Sequence, residues 1–141
     1  LLNNLSDIYA DVDASNIKDS SRVCSEKAIE IARRINYKNG LAKALYDLGR
    51  YNIGVKPNLA EATHYILESL ELFMSLKNST EISKCYMQLG LISYILQNYD
   101  GAVKNLLLSL KNNDNAKSKY LLALSYTELD SFEDAKMYFY K

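Results

Sequence analysis

The sequence predicts an all-α protein, a right-handed α-α superhelix of about four helical hairpins, on three observations. Apolar residues recur at helical spacing, as in Ile82, Cys85/Tyr86, Leu89, Ile92 and Leu96, and before them Leu59, Ala62, Ile66, Ser69/Leu70 and Phe73, with no competing strand alternation. Breakers are scarce, with 5 Gly and 1 Pro in 141 residues. The helical segments also repeat: Ala62, Ala102 and Ala135 fall in one slot at intervals of 40 and 33 residues, the period of a helical solenoid.

In chain order the spacing predicts helices over 1–10, 16–36, 39–54, 59–77, 80–96, 99–112, 115–129 and 132–141. Helix-start signals divide several of them, as Asn58-x-x-Glu61, Asn78-x-x-Glu81 and Asp130-x-x-Glu133. The helices pair into hairpins 1–36, 39–77, 80–112 and 115–141, the last incomplete, within one domain spanning 1–141. Leu1 is not an initiator Met and the last helical pattern still runs at Lys141, so a segment of a longer protein is expected.

The first helices align as YDLGRYNIG, MQLGLISYI and YLLALSYTE, which makes Gly49, Gly90 and Ala123 equivalent. Gly costs about 1 kcal/mol relative to Ala inside a helix, so its use at Gly90 implies a close approach of another helix. The second helices align as NLAEATHYILESL, NYDGAVKNLLLSL and SFEDAKMYFYK. The expected core includes Leu45, Leu48, Ala62, Ile66, Tyr86, Leu89, Ala102, Leu106, Leu122, Ala123 and Ala135.

Composition narrows the function. Lys plus Arg equals Asp plus Glu at 17 each, so no broad basic field exists to draw in nucleic acid or acidic lipid. No apolar run reaches the roughly 18 residues of a membrane span. Cys24 and Cys85 lie far apart and outside any C-x-x-C pair, which fits two packed thiols. His64 is the single histidine and falls on the outward side of its helix; phosphate-loop, dinucleotide, nucleophile-elbow and zinc-helix motifs do not occur. Asp11 and Asp13 lack the twelve-residue calcium pattern around them and read as a solvated turn. No catalytic residue, cofactor or metal is expected.

The aligned slots Leu48-Gly49, Leu89-Gly90 and Leu122-Ala123 with Tyr126, followed by Ala62-x3-Ile66, Ala102-x3-Leu106 and Ala135-x3-Phe139, resemble the tetratricopeptide repeat family. The opening LLNNLSDIY fits a first helix through Leu5-Ser6-x2-Tyr9, and SSRVCSEKAIEIA its degenerate partner. Trp and a closing Pro are missing. About six extra residues between the first three hairpins are similar to the 40-residue variant of the family.

The resemblance implies a concave groove lined by first helices. Carried over residue by residue, it holds Lys43, Tyr46, Arg50 and Ile53, then Lys84, Met87, Leu91 and Tyr94, then Lys117, Tyr120, Leu124 and Thr127, with Asn3 and Asp7 ahead of them. Tyr46, Tyr94 and Tyr120 are the aromatic anchors of that face, whereas Tyr86, Tyr99 and Tyr126 are packing residues. Chaperone-binding members hold a terminal carboxylate with a Lys/Asn clamp; here Asp7, Arg50, Leu91 and Leu124 stand where the clamp asparagine would be sought. Lys43, Lys84 and Lys117, each six residues before the small slot, form one row suited to an acidic, extended ligand.

The expected function is a non-catalytic module that binds a peptide, a protein helix or a second copy, with a homodimer through the truncated end as one form. EKAIEIARRIN and KNGLAKALYDLG resemble the input regions of bacterial two-component histidine kinases. That resemblance implies a kinase domain elsewhere in the full protein and a periplasmic location for these repeats. The alternatives are a cytoplasmic, peptide-responsive transcriptional regulator and a generic scaffold.

Overall fold

A computed structural model describes residues 19–54 and 57–140. The helix expected over 1–10, the start of the one expected over 16–36, and Asn3, Asp7, Asp11 and Asp13 lie outside them. Among the described residues the chain is all-helical: α1 (19–34), α2 (Lys38–Gly54), α3 (Leu59–Ser75), α4 (Ser79–Ile95), α5 (Tyr99–Asn112), α6 (Ala116–Glu128) and α7 (Phe132–Phe139). Each helix from α2 onward packs on the next, and the first helices of successive hairpins also touch, α2 on α4 and α4 on α6. That is the packing of a helical repeat. On the α1 side, Tyr51 donates its hydroxyl to Asp19 at 3.0 Å and Arg33 pairs with Glu68 of α3 at 2.7 Å.

Asparagine starts these helices. Asn58, Asn78, Asn98 and Asn115 each accept, through the side chain, the backbone N–H three residues on, which satisfies one orphan donor of α3, α4, α5 and α6. The start expected at Asp130 is corrected. Asp130 takes a left-handed φ of 58° and Ser131 follows it as the N-cap, without a side-chain cap bond. The same arrangement recurs at Asn36, Lys77 and Gln97, with φ of 55°, 55° and 61°. In each, the next residue donates its N–H five residues back, as Asn78 does to Phe73 at 3.1 Å and Asn98 to Ser93 at 2.9 Å. A left-handed residue followed directly by an N-cap reverses the chain in two residues.

The small slots set the helix crossings. A Cβ built on Gly90 would stand 2.6 Å from Leu106 Cγ, and one on Gly49 would stand 2.6 Å from Ile66 Cδ1. Ile66 and Leu106 are the large residues four after Ala62 and Ala102, so each glycine receives the bulky partner of its own hairpin. The expected core residues are buried, with one correction: Tyr86 is only partly buried and packs against the edge of the α2–α3–α4 core. Cys85 is buried as expected, but Cys24 is exposed on α1.

A polar seam joins the hairpins. Ser109 of α5 donates to the Ser83 carbonyl of α4 at 2.8 Å, and its hydroxyl meets that of Ser118 on α6 at 2.8 Å. One repeat earlier Ser69 of α3 donates to the Ala42 carbonyl of α2 at 2.7 Å, and Cys85 of α4 contacts Ser69 with Sγ at 3.7 Å. The slots match: each serine stands seven after the second-helix alanine, and Cys85 and Ser118 each stand five before the first-helix small residue. One buried hydroxyl thus pins a hairpin internally and the next hairpin to it. Burial pushes the Cys85 thiol up to about 11, so it stays protonated as a donor.

Candidate functional site

The face made by α2, α4 and α6 is concave and holds two adjoining compartments. The first, about 400 Å³, lies between Tyr46 and Arg50 of α2, Lys84 and Gln88 of α4, and the turn at Asn113–Lys117 that opens α6. The second, about 380 Å³, is walled by Ile53, Leu91, Tyr120 and Leu121. Both share Arg50, Met87, Gln88 and Lys117, so together they form one trough across three successive first helices. Helical spacing carries the trough along α4: Lys84, Met87 and Leu91, three and four apart, project on the same side.

The expected groove residues separate into three groups. Tyr46, Arg50, Lys84, Met87, Leu91, Lys117 and Tyr120 line the trough. Lys43 is exposed but lines neither compartment. Tyr94 turns away into the α5–α6 core and meets the Tyr99 ring edge-on at 5.4 Å, while Leu124 and Thr127 are half-buried outside the trough. Tyr46 borders the cavity at only 8% exposure, whereas Tyr120 stands 58% exposed. The row of three lysines therefore contributes two of its members to one cavity.

Electrostatics there are positive with a mixed rim. Lys84 is held by Glu81 at 3.0 Å, and Arg50 lies over the Tyr46 ring, 5.8 Å from its centre. Gln88 donates from Nε2 to the Tyr46 hydroxyl at 3.2 Å. Burial raises the Tyr46 phenol above its ordinary value, opposed by that bond and by Arg50. Burial likewise raises the Asp47 carboxyl, opposed by Arg50. Among the described residues no three His, Cys, Asp or Glu side chains come together as a metal site would require, and His64 is exposed.

The polar floor is what the sequence did not disclose. Gln88, Ser83, Asn113 and Asn115 line the first compartment, and Asn115 Nδ2 reaches both Ser83 and Ser109 at 3.3 Å. The one sequence signal near it is the alignment of Ser69 with Ser109, in ILESL and LLLSL, which does not reach Ser83 or Asn115.

No family model matches the chain, and no curated protein matches it. Among solved structures the chain is similar to the crystal structure of BtubC (BKLC) from P. vanneervenii, with a TM-score of 0.78 at 18% identity. The similarity covers 89% of this chain and 55% of that one, so the chain spans about half the length of that relative. At this identity the likeness shows the shared helical fold.

Proposed function

We propose that this chain is a non-catalytic binding module of tetratricopeptide type that holds a protein or peptide segment in the trough formed by α2, α4 and α6. The observation that carries the reading is the trough itself. It runs across three successive first helices, with apolar side chains from Met87 and Leu91, an exposed aromatic ring at Tyr120, and the cations Arg50 and Lys117 in the shared wall. Such a surface offers anchor residues for a side chain and polar groups for an extended backbone. The repeat-equivalent serine seam supports it by holding the first helices in fixed register beneath the ligand.

Selection of random linear peptides on the protein tests the reading. Bound peptides should be lost on Met87→Arg, with the helical content unchanged, and retained on His64→Ala at the outer face. Failure to enrich any peptide, or binding indifferent to Met87→Arg, would contradict it. The wider assignment, to the input region of a two-component histidine kinase, rests on EKAIEIARRIN and KNGLAKALYDLG. A membrane span and kinase domain following the repeats in the full-length protein would support it, and a helix-turn-helix domain there would favour a cytoplasmic regulator instead.

A further inference from the structure

The first compartment gathers positive charge in a chain whose formal charge is zero. Its wall carries Arg50, Lys84 and Lys117 and no carboxylate. Glu81 on the rim already holds Lys84, and Asp47 lies within electrostatic reach of Arg50. Lys117 has no ion-pair partner among the described residues, and Arg50 rests on a ring rather than in a salt bridge. The N-terminal turn of α6 opens onto the same cavity at Ala116, so its backbone dipole adds to the potential.

One buried hydroxyl there keeps a donor in reserve. The Tyr46 hydroxyl accepts from Gln88, but its own proton has no acceptor among the described residues. Gln88, 7% exposed, donates that bond from its amide Nε2. A phenolic donor, an ammonium and a guanidinium around one cavity suit a single carboxylate, which accepts several donors at once. The adjoining compartment shares Arg50, Gln88 and Lys117 through the common wall, and its own far side is apolar through Ile53, Leu91 and Leu121.

We infer that the trough reads a pair of side chains on one extended peptide: an Asp or Glu against the shared wall of Arg50 and Lys117, on the side of Tyr46 and Lys84, and a large apolar side chain on the side of Ile53, Leu91 and Leu121. The inference rests on the peptide-binding reading of the trough and adds its specificity. Because the compartments share a wall, the two side chains stand within about two residues of each other, since alternate residues of an extended strand share a face about 7 Å apart.

The test is the composition of peptides selected on the protein, followed by titration of synthetic forms. Enriched peptides should carry Asp or Glu within two residues of Leu, Met or Phe. Changing that Glu to Gln should weaken binding roughly three- to tenfold, and the difference should shrink as salt rises. Lys117→Gln should narrow the affinity ratio of the Glu and Gln peptides, with Arg50 still in place, whereas Lys43→Gln, outside the cavity, should leave that ratio unchanged. Peptides that bind through Met87 without an acidic preference, a Lys43→Gln effect equal to that of Lys117→Gln, or tighter binding of a phosphoserine form than of the Glu form would each overturn the carboxylate assignment. Absence of any bound peptide would overturn the binding reading as well.

Discussion

Replacing Gly90 with alanine should destabilise the protein, although alanine is the better helix former. The new methyl would lie 2.6 Å from Leu106 Cγ and 2.7 Å from Cδ2. Ordinary carbon contacts are about 3.5–4.0 Å, so the pair must separate by roughly 1 Å. Leu106 is fully buried and cannot move into solvent, so the overpacking costs about 1–3 kcal/mol. The gain in helix propensity is about 1 kcal/mol at most, which leaves a net loss of about 0–2 kcal/mol. Gly54 supplies the control. Among the described residues nothing lies within 4 Å of a Cβ there, and its φ is not positive, so Gly54→Ala should be neutral to slightly stabilising. Thermal unfolding followed by circular dichroism reads the contrast, since 1 kcal/mol moves the midpoint of a domain this size by about 3–5 °C. Gly90→Leu, which adds three more carbons, should abolish the cooperative transition. If Gly90→Ala melted at or above the Gly54→Ala midpoint, the close crossing of α4 and α5 would be wrong.

The left-handed turns give the opposite sign: Lys77→Gly and Gln97→Gly should each stabilise by about 0.5–1 kcal/mol, measured by urea titration, because a side chain at φ near 60° is strained and glycine is not. Ser109→Ala should cost about 1–3 kcal/mol by the same titration, since it strips a partner from the buried hydroxyls of Ser83 and Ser118. The Cys85 thiol, raised from 9.0 to about 11 by burial, favours the folded state fully below pH 9 and loses that contribution as pH rises towards 11. The loss is about 2–3 kcal/mol at most, and Cys85→Ala should flatten the pH dependence of the melting temperature across that window.

The helices were legible because two signals agreed: apolar spacing located their faces, and asparagines at 58 and 78 marked their starts. The Asp130 start failed because Asp suits both an N-cap and a left-handed turn, and only the tertiary turn decides between them. Gly49 and Gly90 disclosed their role because a helix interior gives glycine no local use. The serine seam was hidden since Ser69, Ser83, Ser109 and Ser118 look like surface residues until a carbonyl from a neighbouring helix meets them. Of the trough, the register of the first helices placed Arg50, Met87 and Lys117 on one face. The inward turn of Tyr94 depends on its contact with Tyr99, which repeat position alone does not specify.

Backbone amide chemical shifts, recorded while a selected peptide is titrated into the labelled protein, test the central claim most directly. The claim predicts saturable changes along Tyr46–Ile53, Lys84–Leu91 and Asn115–Leu121, with the second helices α3 and α5 unchanged on their outer faces around His64 and Lys104. Changes concentrated on α3 and α5, with the first-helix face silent, would contradict it.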